Sequence, residues 1–195
     1  MRITDTLKRE ELDSLKIIEF QKDDVLCHEG EPCQGVYVIR QGSVKISSYS
    51  LSGQEIVYNL IKEDETFGSN LVFASETKYR GNVIALKNGS AYFISKTKLE
   101  ELLSQNKEFL LAYMRAMADF GKSLNATIKL LSFSAAEDRL DFYLQTHGGE
   151  IAFASVSQLA NELFLSRETL SRLLTKEEKK GRIKREGKKI ILIHR

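Results

Sequence analysis

Between Ser155 and Lys180 the chain reads SVSQLANELFLSRETLSRLLTKEEKK. The residues there that can do chemistry are hydrogen-bonding and charged groups, not nucleophiles. Arg167 and Arg172 can each donate two bonds to a guanine edge, Glu168 can accept from cytosine N4, and Ser171 can serve several bases. A carboxylate facing a polyanion is a poor choice on charge alone, so Glu168 between two arginines favours reading of sequence over plain attraction. Hydroxyls at Ser155, Ser157, Ser166 and Thr169 suit phosphate oxygens. So do the cations Lys184, Arg185, Lys188 and Lys189, which would add affinity and salt dependence more than sequence choice.

Such groups need a rigid mount. Ser155 is placed to N-cap a short helix whose Val156, Leu159, Ala160 and Leu163 form one apolar face. Phe164 and Leu165 interrupt it, and Ser166 caps a second helix running to Lys180 with Leu170, Leu173 and Leu174 inward. Two short helices joined by a tight turn form a helix-turn-helix, in which the start of the second helix meets base edges in the major groove. Many apolar-patterned helix pairs look like this; the charge distribution argues for nucleic acid. From Ser166 to Arg195 there are eleven Lys and Arg against four Glu, a net of +7. The first 165 residues carry a net of −5, so the overall +2 conceals a basic end on a mildly acidic body. Beyond Lys180, Arg182–Glu186 and Lys188–Ile193 around Gly187 read as a hairpin wing.

The other chemistries find little material. Two cysteines, Cys27 and Cys33, cannot complete a four-ligand zinc set. The three histidines, His28, His147 and His194, are scattered. No Gly-rich phosphate loop and no Ser/His/Asp or Cys/His constellation stands out, and a metal enzyme built on a barrel would need more than His28. No catalytic or metal-binding residue is assigned. An apolar content of 42% and a charged content of 29% are those of an ordinary globule. With no run of 18 apolar residues and no leader pattern, the expectation is a cytoplasmic protein without a membrane partner.

From Ile17 to Ile94 short β-rich runs alternate with Gly, Asp and Asn. The predicted strands are Ile17–Phe20, Val25–His28, Gly35–Gln41, Ser43–Leu51, Glu55–Ile61, Tyr79–Ala85 and Ser90–Ser95, with Gly30, Gly42 and Gly53 at turns. A compact antiparallel barrel or roll is expected. A surface helix at 6–14, a helix at Lys96–Gln105 and a longer one at Lys107–Phe133 complete the first part. In the long helix Leu110, Tyr113, Met117, Phe120, Leu124, Ile128 and Leu131 recur at steps of three and four, close to a heptad seam that two copies can bury. At about 40 Å it exceeds what a small domain needs for itself. An intrachain core face is the alternative. Ser134 and Glu137 spell a capping box opening a helix at 135–146. The expected domains are therefore 1–106, 107–133 and 134–195.

The segment Asp24-Val25-Leu26-Cys27-His28-Glu29-Gly30-Glu31, with Val36-Tyr37-Val38-Ile39 and Gly42-Ser43-Val44, resembles the β-roll of the CRP/FNR family, the catabolite-activator and fumarate–nitrate-regulator type transcription factors. Gly68 resembles the start of that family's phosphate-binding cassette, and Ser166–Arg172 its recognition helix. The motifs run in the family's order over nearly the whole chain. The resemblance implies an α+β chain: an antiparallel β-roll of the cyclic-nucleotide-binding type (a double-stranded β-helix), a long dimerisation helix and a C-terminal winged helix-turn-helix. It further implies a homodimer on a palindromic DNA site with half-sites like TGA or GTGA, working with RNA polymerase. One departure is Phe164, at a turn position where Gly is usual; a bulky residue there bears the cost of a positive φ.

In cyclic-AMP-binding members the cassette carries a Glu for the ribose and an Arg-Ser pair for the phosphate. Here Ser69 stands in place of the Glu and Tyr79-Arg80 in place of Arg-Ser, while Leu124 and Asn125 take the positions that would touch the base. Arg80 is shifted by one residue, which in a strand flips its face. The sequence thus disfavours cyclic AMP. Two thiols cannot hold the iron–sulfur cluster of other members, and no histidine takes a position marking a haem ligand. The effector is left open: a different small anion or organic acid near Gly68, Ser69, Asn70, Tyr79, Arg80 and Asn125, a vestigial pocket, or redox control through Cys27 and Cys33. A ligand-sensing or scaffold module that does not bind DNA is the rival reading, but it leaves the basic end unexplained.

Overall fold

The computed structural model describes residues 3–193; His194 lies outside them. Chain contacts divide it into two compact units, one up to Asp119 and one from Phe120 onward.

The first unit opens with a 3-10 turn at Ile3–Thr6 and a short helix α1, Arg9–Asp13. Six antiparallel strands follow: β1 Lys16–Phe20, β2 Val25–Cys27, β3 Gly35–Tyr49, β4 Glu55–Ile61, β5 Thr66–Phe67 and β6 Asn82–Ser95. The sheet order is β1-β6-β3-β4, with β2 also on β6 and β5 also on β3. Two pairs of predicted strands are each a single long strand. Gly42, expected at a turn, lies inside β3 at φ 92°, where the register shifts repeatedly between Ile39 and Val44. A Cβ there would stand 2.8 Å from the Asn88 carbonyl oxygen, and one on Gly89 would stand 2.0 Å from that of Gln41. Two glycines facing each other let β3 and β6 bend together without ending. Tyr79, expected to open a strand, precedes β6 in a loop held to the Gly30–Glu31 turn: its amide donates to the Glu31 carbonyl at 2.9 Å. The interior is apolar, built on Val36, Val38, Ile39, Val44, Val83, Ala91 and Ile94.

Helix α2, Lys96–Gln105, is capped by Ser95, and α3, Lys107–Ser132, runs through the boundary between the units. Its first half closes the roll. Phe109, Ala112 and Tyr113 are buried in the roll core, and Met117 packs against it. This corrects the predicted seam at Tyr113 and Met117, which the roll itself takes; Leu110 and Phe120 are half-buried, and the exposed apolar residues in this half are Leu111 and Met114. In the second half Leu124, Ile128 and Leu131 are exposed.

The second unit adds α4 Ala136–Thr146, β7 Glu150–Ala152, α5 Val156–Glu162, α6 Arg167–Lys179, β8 Ile183–Glu186 and β9 Lys189–Leu192. The small sheet is ordered β7-β9-β8. Leu130, Leu140, Leu144, Ile151, Leu159, Leu163, Leu170, Leu174, Ile183 and Ile190 form its core. The capping box is not formed. The N-cap of α4 is not Ser134 but Ala135, which has no polar side chain to cap with and moves Glu137 out of the N3 position; Glu137 instead meets Lys176 at 2.7 Å. No helix among the described residues is long and apolar enough to cross a membrane.

Candidate nucleic-acid interface and sensor cassette

Helix α6 begins where Ser166 accepts a hydrogen bond from the Thr169 amide at 3.0 Å, and α5 where Ser155 accepts one from Gln158 at 3.1 Å. Both N-caps are as expected. The turn between the helices holds Phe164 at φ 54°, with 48% of its surface exposed. Arg139 braces this turn. Its guanidinium donates to the Phe164 carbonyl at 3.0 Å and to the Phe133 carbonyl, just past the end of α3, at 2.9 Å.

At 3.6 residues per turn, α6 buries Leu170, Leu173, Leu174 and Glu177 on one side. Glu168, Arg172, Thr175 and Lys179 then fall on the opposite side, with Arg167 and Ser171 flanking; all are exposed. Among the described residues no ion pair or side-chain hydrogen bond occupies Arg167, Glu168, Arg172 or Lys179, so these side chains face solvent with their bonding capacity unspent. Thr175 and Lys179 were missed from sequence, although their three- and seven-residue spacing from Arg172 marks them. An open groove of about 560 Å³ runs along this side, lined by Ser171, Arg172, Thr175, Lys176, Lys179 and Lys180. Glu168 also sits in the first turn, where the helix dipole favours an acid whatever else it does. Buried Glu177 is held inside by Lys180 at 2.8 Å and Arg182 at 3.1 Å.

The hydroxyls expected at a phosphate backbone are all exposed: Ser155 and Ser157 at the start of α5, Ser166 and Thr169 at the start of α6. The wing cations differ among themselves. Lys184 pairs with Glu186 at 2.6 Å, and Lys189 pairs with Glu150. Arg185 gives Glu178 an Nε bond at 2.8 Å and a backbone bond at 3.1 Å. Those bonds hold the Glu178 carboxyl below its usual range. Lys188 shares the two-residue turn with Gly187 and, among the described residues, has no ion-pair partner.

The cassette residues separate into two groups. Gly68 (φ 82°), Ser69 and Tyr79 come together, since a Cβ on Gly68 would lie 3.4 Å from the Tyr79 hydroxyl oxygen and 3.2 Å from Cys33 Sγ. The Ser69 hydroxyl bonds Thr66 at 3.2 Å, and its carbonyl accepts from the Tyr113 hydroxyl at 2.8 Å. Burial pushes that hydroxyl's pKa up to about 12, leaving it a neutral donor. Asn70 and Arg80 are exposed, the latter 3.9 Å from Glu76. Asn125 is exposed on α3 in the other unit. Cys27 and Cys33 are buried free thiols, and burial raises the Cys27 pKa, which disfavours the reactive thiolate. A cyclic nucleotide needs a cation for its phosphate and a carboxylate or equivalent for its ribose. Gly68, Ser69 and Tyr79 supply neither, so this donor set does not fit one.

Residues 17–106 match the family model for the cyclic nucleotide-binding domain. The chain is 29% identical to the regulatory protein HlyX of Actinobacillus pleuropneumoniae, over 96% of this chain and 84% of that protein. It is 27% identical to the fumarate and nitrate reduction regulatory protein of Salmonella typhimurium, over 96% and 80%. Among solved structures it superposes on FixK2 of Bradyrhizobium japonicum with a TM-score of 0.64, at 21% identity over 93% of each chain. With a CooA variant of Carboxydothermus hydrogenoformans the TM-score is 0.74, at 17% identity over 97% and 89%. The structural likeness concerns the fold.

Proposed function

We propose that the chain is a transcription regulator of the CRP/FNR family, a homodimeric, sequence-specific DNA-binding protein that reads a palindromic site through α6. The observation that carries this reading is the outward row of Glu168, Arg172 and Lys179, exposed and, among the described residues, without ion pair or side-chain hydrogen bond, with Thr175 in the same row and Arg167 and Ser171 flanking. Arg172 and Arg167 serve guanine edges, and Glu168 a cytosine amino group. Ser155, Ser157, Ser166 and Thr169 meet phosphates, together with Lys188 at the wing tip. Lys184, Arg185 and Lys189 reach phosphates by giving up exposed ion pairs, each worth little. The second-half face of α3, Leu124, Ile128 and Leu131, with Leu111 and Met114, is the dimer surface. RNA polymerase is the further partner, and control is exerted by an effector other than cyclic AMP or by none.

In-vitro selection of duplex DNA by the purified, reduced protein, with nothing added, tests the reading. Enrichment of a palindrome with half-sites about one helical turn apart supports it; no binding to any DNA returns the scaffold reading. Two substitutions then separate the roles. Glu168→Ala relaxes choice at one base pair, whereas Lys188→Ala weakens matched and mismatched sites alike and lowers the salt slope by about one. Equal losses for both variants on both kinds of site count against this division of labour.

A further inference from the structure

The cassette has a tenant of its own. Tyr79 stands where the cyclic-nucleotide pattern places an arginine, yet its side chain is turned into the roll and only 6% exposed. Its backbone is fixed on both sides, the amide donating to Glu31 at 2.9 Å and the carbonyl accepting from Gly30 at 2.8 Å. Its hydroxyl oxygen lies against Gly68, with the Cys33 and Cys27 thiols close by. The Cys33 thiol donates in turn to the Gly35 carbonyl at 3.1 Å. Around it Tyr37 stacks on Phe67 with ring centroids 4.5 Å apart. One residue on, Ser69 is tied to α3 by the Tyr113 hydroxyl. The one cation of the cassette, Arg80, faces away into solvent.

We propose that the Tyr79 phenol is a built-in occupant of the cassette: it takes the place of a diffusible effector and holds Gly68 and Ser69 in the conformation that binds α3. The contact from the cassette to the long helix, Tyr113 hydroxyl to Ser69 carbonyl, is made by groups of this one chain. An occupant tethered by its own backbone is present at a fixed, high effective concentration, so no pool of free ligand sets its occupancy. The cassette is therefore closed to cyclic nucleotides and needs none. This inference concerns the roll alone and does not depend on what α6 binds.

The test removes the tenant and returns it untethered. In Tyr79→Ala the ring leaves an apolar hole lined by Gly68, Cys27 and Cys33, and p-cresol is the excised side chain as a free molecule. The expected outcome is a thermal midpoint about 10 °C below the parent. It should be restored saturably by millimolar p-cresol, which leaves the parent protein unmoved. Labelling of Cys27 and Cys33 by a thiol reagent should be fast in the variant, slow in the parent, and slowed again by p-cresol. Tyr79→Phe, keeping the ring and losing the hydroxyl, should fold, ignore p-cresol and label at an intermediate rate. If Tyr79→Ala does not fold, Tyr79→Leu with phenol carries the same comparison. The proposal is overturned if p-cresol neither stabilises nor protects the folded cavity variant. It is equally overturned if cyclic AMP or cyclic GMP raises the midpoint of the parent protein, since that requires Tyr79 to yield. None of these readouts involves DNA.

Discussion

Phe164 carries a backbone conformation that suits glycine and a ring that is half in water. The left-handed region costs a non-glycine residue roughly 1–2 kcal/mol, and an exposed ring returns little of it by burial. Phe164→Gly is accordingly expected to stabilise the C-terminal unit, by up to about 1 kcal/mol once the greater freedom of glycine in the unfolded chain is counted. Chemical denaturation measures this, and a destabilised variant would mean that the ring makes contacts worth more than the strain. This conformation was legible in the sequence, because the turn of a helix-turn-helix constrains one residue locally. Tyr113 was not. Its hydroxyl finds Ser69 across 44 positions, and nothing in the spacing of an apolar helix face says whether its own roll or a second chain will cover it. Tyr79 escaped for the same reason: it was placed in a strand, and its burial depends on partners at Gly68, Cys27 and Cys33 that only the folded roll assembles.

Elements in the C-terminal unit are fastened to one another mainly at their ends. The Ser155 and Ser166 caps could be read locally, since each hydroxyl serves an amide three residues on; Ser166→Ala should cost about 1 kcal/mol in a denaturation series. The Ser134 capping box did not form because α4 is capped one residue later, at Ala135, and Glu137 bonds Lys176, 39 residues away, a partner that no local pattern encodes. Arg139 ties the exit of α3 to the turn before α6 through two carbonyls. Arg139→Ala should lower the midpoint of this unit and speed amide exchange at Leu165–Leu170, whereas exchange unchanged there would show that the turn stands without it. The hydrogen bond from Lys176 holds the Glu137 carboxyl below its usual pKa, as Arg185 does for Glu178. Depressed carboxyl pKa values mean that the folded state binds these protons less tightly than the unfolded state. Their contribution is thus present at neutral pH and lost as pH falls through the ordinary glutamate value near about 4.3 and below it. A Glu137→Gln, Glu178→Gln double variant should show a shallower fall of thermal midpoint between neutral and acid pH than the parent; parallel curves would remove these pairs from the account.

For the molecule as a whole, the expected pairing of two chains rests on the far half of α3. Ile128, 65% exposed, is the most open of the apolar residues there. Ile128→Glu should shift sedimentation from dimer to monomer while leaving the thermal midpoint of the roll unchanged, since the roll core ends near Met117. A dimer that persists would move the interface elsewhere. Most of the roll was readable as short strands; the two-residue β5 was too short to show a pattern, and the joining of pairs of strands at Gly42 and Gly89 was hidden because a bend shared by two facing glycines looks in one dimension like two turns. The winged unit has a different peculiarity. Its middle strand is β9, so β7 finds no neighbour until residues 189–192 arrive, while every strand of the roll lies before residue 96. During synthesis, at roughly 5–20 residues per second, the roll can close while the second sheet still waits for its centre. A chain truncated just short of β9 would carry every strand of the roll and a second sheet without its centre.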